Sequence, residues 1–154
     1  TLDKKKIGDE LILSGPYGVF KYENSEKDIA FIAGGIGITP FIGILRYLNF
    51  KKLQTKVILL YSNKSENRTA FKNELDLLEK KDTNLKIIYS MTEQEDFDGE
   101  KGRIDEEFIR KHVKDPEKKA WYIAGPPKMV KEINEMLKKE FNVKKIKLDS
   151  FGGY

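Results

Sequence analysis

A run of seventeen uncharged residues, IAFIAGGIGITPFIGIL, lies between Asp28 and Arg46 and limits what the chain can fold into. A membrane-spanning helix needs about 20 continuous apolar residues. Three glycines followed by a proline interrupt this run near its centre, where they would break a helix. We therefore expect no membrane span here.

The same run instead predicts a strand, a turn and a helix in succession. Ile29–Ala33 has the short apolar pattern of a buried strand. The glycines allow a sharp turn after it. Thr39 is a suitable N-cap residue and Pro40 suits the first position of a helix, so a helix is predicted from about Pro40.

This alternation of strand and helix repeats along the chain. Four more β-rich runs are predicted as strands: Lys56–Ser62, Leu85–Ser90, Ala120–Ala124 and Lys145–Ser150. Strands that alternate with helices form right-handed βαβ units and a parallel sheet. The predicted fold class is α/β, a doubly wound five-stranded parallel sheet with helices on both faces. Glu10–Ser14 lies outside this alternation and is predicted to close a separate unit.

Apolar spacing predicts the helices between these strands. The helix after the second strand has apolar residues four and three apart, Phe71, Leu75 and Leu78. The next is predicted to begin near an Asp105 N-cap, with Ile104 and Ile109 as its hydrophobic staple. The helix after the fourth strand is amphipathic through Met129, Val130, Ile133, Met136 and Leu137, and its methionines are predicted to pack in the core.

Composition excludes several classes of function. The 154 residues carry 29 basic and 25 acidic side chains of interspersed sign, which we interpret as solvated faces, so no nucleic-acid partner is expected. The chain has no cysteine, which excludes thiolate catalysis and cysteine-bound iron–sulfur clusters and is compatible with the expected cytoplasmic location. His112, the only histidine, has no predicted partner, and no nucleophile–base pair or metal-ligand spacing is present. We predict no catalytic side chain and no metal site.

Three loops follow the predicted strands, at the edge of the sheet where ligands of open parallel sheets bind. Gly35 to Pro40 reads G-x-G-x-x-P, which suits a phosphate but also a plain strand-to-helix turn. Gly125-Pro126-Pro127 is either a second ligand loop or a capped turn. Lys64 and Arg68 lie near the end of the second strand, where they could meet a ribose 2′-phosphate or remain solvated loop charges.

The motifs GPYGVF, GGIGITPF, YSNKSENRTAFKNEL, GRID, AGPPKMV and FGGY, in this order, resemble the C-terminal NAD(P)-binding domain of the ferredoxin–NADP reductase superfamily. The resemblance runs from about residue 8 to the last residue. It implies an NAD(P)H:flavin-dependent oxidoreductase, in which nicotinamide passes hydride to FAD or FMN. Electrons then leave to a redox acceptor, which is a protein or a small molecule.

The resemblance also implies roles for individual residues. The pyrophosphate and nicotinamide end is expected at Gly34, Gly35, Ile36, Gly37, Thr39 and Pro40. The adenosine ribose is expected at Ser62, Asn63, Lys64 and Arg68, and the second nucleotide loop at Gly125, Pro126, Pro127 and Met129. Phe151 or Tyr154 matches an aromatic position near the flavin ring.

The sequence departs from that family in two places. Ala124 stands where the family commonly has cysteine before Gly-Pro, near the nicotinamide. The N-terminal flavin barrel is missing: residues 1–24 resemble only its last strand and the linker, and residues 25–154 the NAD(P)-binding domain. We expect an excised or split half that binds nucleotide, needs a flavin-binding domain or subunit, and does not turn over alone. The alternative is a non-catalytic assembly or regulatory module of a redox complex.

Overall fold

The computed structural model describes residues 4, 6–10, 12 and 20–152. Their strands are β1 (Asp28–Gly34), β2 (Lys56–Asn63), β3 (Leu85–Met91), β4 (Glu100–Lys101), β5 (Ala120–Gly125) and β6 (Ile146–Ser150). Their α-helices are α1 (Thr39–Lys51), α2 (Lys72–Lys81), α3 (Glu106–His112) and α4 (Pro127–Phe141). Most of the predicted strand Glu10–Ser14, most of GPYGVF, and Tyr154 lie outside the described residues.

All six strands are parallel, in the order β4-β3-β2-β1-β5-β6. This confirms the predicted doubly wound parallel sheet, with one more strand than the five expected. The additional strand, β4, has two residues and pairs Ser90 with Glu100 and Met91 with Lys101 at the sheet edge. Two residues carry no β-rich run, so nothing in the local pattern indicated it.

The central strands are buried on both faces. On β1, Ile29, Phe31 and Ala33 pack with α1 and α2, whereas Ala30 and Ile32 pack with α3 and α4. All five are fully buried. Because each of these five residues meets apolar side chains on its own face, Ile29–Ala33 is one continuous apolar run rather than an alternating one.

The start of α3 follows the prediction. The Asp105 carboxylate accepts a hydrogen bond from the Phe108 backbone N–H at 2.9 Å, and Ile104 and Ile109 are both buried. The predicted Thr39 N-cap is wrong. A 3-10 turn over residues 35–38 runs directly into α1, which begins at Thr39, and the Thr39 hydroxyl donates to the Ile36 carbonyl at 3.1 Å.

The start of α2 differs from the prediction as well. Phe71 precedes the helix in a left-handed conformation, with a φ of +60°, and its side chain is 40% exposed. Leu75 is fully buried and Leu78 packs against the same cluster. The apolar spacing therefore located the helix, but it placed Phe71 one residue too far inside. None of the helices in the described part of the chain is long and apolar enough to span a membrane.

Candidate functional site

The loops after β1, β2 and β5 meet at the carboxyl edge of the sheet. The chain order reverses between β1 and β5, and such a switch point opens a crevice between neighbouring loops. A cavity of about 330 Å³ occupies this crevice, lined by Gly34, Gly35, Ser62, Asn63, Lys64, Arg68, Thr92, Pro126 and Met129. The structure thus brings together residues from all three of the predicted loops.

Close backbone approach explains the glycines of the first loop. A Cβ added at Gly37 would lie 2.1 Å from the Ala124 carbonyl oxygen, and one at Gly34 would lie 2.5 Å from Met129 Sδ. Gly35 has a φ of +54°, a conformation that side chains disfavour. The turn therefore lies directly against the end of β5, which is why two loops far apart in sequence share one cavity wall.

The buried Tyr61 hydroxyl supports the same turn from below. It donates to the Gly35 carbonyl at 3.1 Å and lies 3.4 Å from the Ala70 carbonyl. Burial raises the pKa of Tyr61, so the hydroxyl stays a donor at neutral pH. The glycine turn after β1 and the segment after β2 are thereby tied to one side chain.

Asn63 supplies an unpaired buried donor at the cavity. Its side chain is 6% exposed and lines the cavity, yet Nδ2 has no well-formed hydrogen bond to any described residue. The amide lies near enough to the Tyr61 hydroxyl to oppose the rise in its pKa, without bonding to it in normal geometry. Buried amides without partners cost free energy, and this one belongs to a side chain in the cavity wall.

Two cations from the segment after β2 also line the cavity. Lys64 forms an ion pair with Glu93 at 2.8 Å. Arg68 is exposed, and its guanidinium contacts no acidic partner among the residues that the structure describes. The 3-10 turn that carries Arg68 is held by Gln94, whose side-chain oxygen accepts from the Glu66 N–H at 2.8 Å.

A second cavity, of about 430 Å³, continues from the first and shares Ser62, Thr92, Pro126 and Met129 with it. Its walls include side chains for which no ligand-binding role was predicted: Arg103, Ile104, Asp105, Lys128, Glu132, Ile133 and Met136. The GRID motif was the sequence signal for three of these. Met129 and Met136 pack against the apolar core as predicted, but both are only partly buried and also line this cavity.

Several predicted site residues lie beside the cavities rather than on their walls. Ile36 is 56% exposed at the turn, and Gly37 is buried beneath it. The others that line neither cavity are Thr39, Pro40, Gly125, Pro127 and Phe151. The Phe151 N–H donates to the Gly125 carbonyl at 3.1 Å, and its ring packs on the face that α1 covers.

Ala124 and His112 each make contacts within the fold and line neither cavity. Ala124 is fully buried in β5, paired with Ala33, and its carbonyl oxygen is the atom that Gly37 approaches. His112 ends α3, with Nε2 3.1 Å from Glu100 Oε1 and its ring 4.7 Å from that of Phe108. It lines neither cavity.

Comparison with known proteins agrees with this geometry. The family model described as "Oxidoreductase NAD-binding domain" matches residues 31–135, from within β1 to within α4. The chain belongs to that family. The predicted nucleotide-binding domain, of a family described from oxidoreductases, is thereby confirmed.

Two curated relatives illustrate the family. NADH-cytochrome b5 reductase 2 of Mycosarcoma maydis is 36% identical over 135 residues, covering 84% of this chain and 39% of that protein. Nitrate reductase [NADPH] of Emericella nidulans is 33% identical over 154 residues, covering 89% of this chain and 18% of that protein. The chain thus spans less than half the length of either.

Solved structures share the fold. The CS-b5R domains of human Ncb5or in the NAD+ form superpose with a TM-score of 0.81 at 24% identity, covering 96% of this chain and 44% of that one. Flavohemoglobin from Malassezia yamatoensis, solved with bound FAD and heme, gives a TM-score of 0.76 at 26% identity, covering 90% and 36%.

Proposed function

We propose that this chain binds NAD(P)H as the nucleotide-binding half of a flavin-dependent oxidoreductase. The observation that carries the proposal is the convergence of the loops after β1, β2 and β5 on one cavity at the switch point of the sheet, with Gly34, Asn63 and Pro126 in its walls. The family match and the names of the relatives, which specify NADH or NADPH, support the same conclusion.

The two connected cavities suit neighbouring parts of a dinucleotide. In the smaller cavity a ligand can come close to the backbone at Gly34 and Gly35, which have no side chain. The Asn63 side chain and two cations also line this cavity, so it suits phosphates and ribose. The second has apolar walls at Ile104, Ile133 and Met136, which suits a ring such as adenine. We infer that the dinucleotide spans both.

When bound, the nicotinamide supplies a hydride for FAD or FMN, and the electrons continue to a redox acceptor, a protein or a small molecule. The contribution of this chain is to bind and orient the nucleotide, since the only histidine lies away from both cavities. We propose that residues 25–154 form this unit and that a flavin-binding domain or subunit completes it. The cytoplasmic location and the inactivity of the isolated chain stay predictions.

Calorimetric titration of the chain with NAD+ and NADP+, up to millimolar ligand, tests this function. We expect binding of at least one nucleotide, and an Asn63→Leu variant should bind it roughly 2- to 10-fold more weakly, the range that one neutral hydrogen bond provides. Its free energy of unfolding should be unchanged or higher, because the substitution removes an unpaired buried donor. The same substitution at exposed Asn49 should leave binding unchanged.

A different result would favour the alternative, a non-catalytic assembly or regulatory module. Absence of binding by both nucleotides, in the chain alone and after a flavin-binding unit is restored, would contradict the proposed function. Reduction of the flavin by NAD(P)H in the restored protein would contradict the alternative. Loss of stability in Asn63→Leu would show that the amide has a structural partner after all.

A further inference from the structure

The loop after β3 contacts the segment after β2 at several points. The backbone N–H groups of Thr92 and Glu93 donate to the carbonyls of Asn63 and Lys64, both at 2.9 Å. The Glu93 carboxylate pairs with the Lys64 ammonium at 2.8 Å. Lys64 is therefore held by both its backbone and its side chain at the mouth of the smaller cavity.

The two cations at this cavity are thus not equivalent. The charge of Lys64 is balanced by Glu93, whereas Arg68 has no acidic partner within the described residues. A 2′-phosphate on the adenosine ribose carries close to two negative charges at neutral pH. To use Lys64, that phosphate would have to displace the Glu93 carboxylate, which would also repel it.

We propose that Glu93 sets the preference of this site between NAD and NADP, by holding Lys64 in an ion pair that competes with the 2′-phosphate. This inference rests on the proposed nucleotide-binding function. Glu93 acts through Lys64 and is a positioning residue for specificity. Arg68 remains the cation available to the 2′-phosphate. NAD lacks that group, and its pyrophosphate is expected at the glycine turn rather than at Lys64, so the ion pair should have little effect on NAD binding.

Removal of one carboxylate tests the proposal. In Glu93→Gln the Kd for NADP+ should decrease by about 2- to 5-fold, the range of an exposed ion pair, with the Kd for NAD+ unchanged. This increase in NADP+ affinity should become smaller as the salt concentration rises, because Lys64 and Glu93 are both exposed and dissolved ions screen their charges. Glu95→Gln removes an equal charge from an exposed neighbour in the same loop and should change neither Kd.

A double-mutant cycle with Lys64→Gln shows whether Glu93 acts through Lys64. In the Lys64→Gln background, the Glu93→Gln substitution should no longer lower the Kd for NADP+. A gain that persists in this background, or equal gains in Glu93→Gln and Glu95→Gln, would overturn the proposal in favour of general repulsion. Equal changes for NAD+ and NADP+ would overturn it too.

The same titrations separate this inference from the function on which it rests. If the wild-type chain binds NAD+ or NADP+ while Glu93→Gln leaves their ratio unchanged, the role of Glu93 is wrong and the proposed function stands. If the wild-type chain and the variants bind neither nucleotide, with a flavin-binding unit present, both are wrong.

Discussion

Replacement of Gly37 by alanine should damage both the fold and the site. The new Cβ would lie 2.1 Å from the Ala124 carbonyl oxygen, 2.5 Å from the Ala124 carbonyl carbon and 2.8 Å from the Gly125 nitrogen. The first of these is short of ordinary van der Waals contact by roughly 1 Å or more. All three atoms are backbone atoms of a central strand, so no side chain can rotate away to relieve the overlap.

The size of the effect follows from that rigidity. Overpacking of a well-ordered core costs about 1–3 kcal/mol, and we expect Gly37→Ala to lose about 3 kcal/mol because backbone must move. A domain of this kind has a total stability of roughly 5–15 kcal/mol. As the displaced turn borders the cavity, nucleotide affinity should fall as well.

Urea unfolding, followed by the fluorescence of the single, buried Trp121, measures the loss. Gly43→Ala is the matched control, since Gly43 is exposed within α1 and a Cβ there meets nothing within 4 Å. That variant should gain about 0.5–1 kcal/mol from helix propensity. A Gly37→Ala protein as stable as the wild type, with normal nucleotide binding, would refute the argument.

Two further predictions concern the N-cap of α3 and the titration of Tyr122. Asp105→Ala removes the cap bonded to the Phe108 N–H and should cost about 1 kcal/mol in urea unfolding, whereas Asp98→Ala, in an exposed loop, should cost little. Burial, with a hydrogen bond to Glu26, raises the pKa of Tyr122 to about 12, above the roughly 10 of an unfolded tyrosine. The contribution of Tyr122 to the free energy of unfolding is therefore complete below about pH 10 and is lost between about pH 10 and 12, because the unfolded chain releases the proton first. In Tyr122→Phe the free energy of unfolding should decline less over this pH range.

Much of the fold could be predicted because the central strands are buried on both faces. Ile29–Ala33 and Ala120–Ala124 are continuous apolar runs flanked by glycine or charge, and each was predicted within one or two residues of its observed ends. The edge strand Glu100–Lys101 has no such pattern, since tertiary pairing with β3 alone defines it. The cap at Thr39 failed because the preceding turn was itself helical, which local propensity does not indicate.

The candidate site was predictable only as far as single loops. Each loop follows a strand, and parallel topology brings strand ends to one edge, so the residues of three loops converge as expected. Thr92 and Glu93 were missed because their contacts reach residues 29 positions earlier, and no local pattern encodes such a pairing. The sequence analysis included Arg103 only as part of the GRID motif and predicted no role for it.

The structure also changes the interpretation of two features of the sequence, the glycine motif and Asn63. The glycine motif suggested a phosphate site, yet Gly37 is required by its contact with the Ala124 carbonyl whether or not a ligand binds. Asn63 was one polar residue among many, yet it lines the cavity and its amide nitrogen has no well-formed hydrogen bond to a described residue. A variant at Gly37 therefore reports on the fold first. A variant at Asn63 reports on binding with the fold preserved, and so it is the better probe of what the cavity holds.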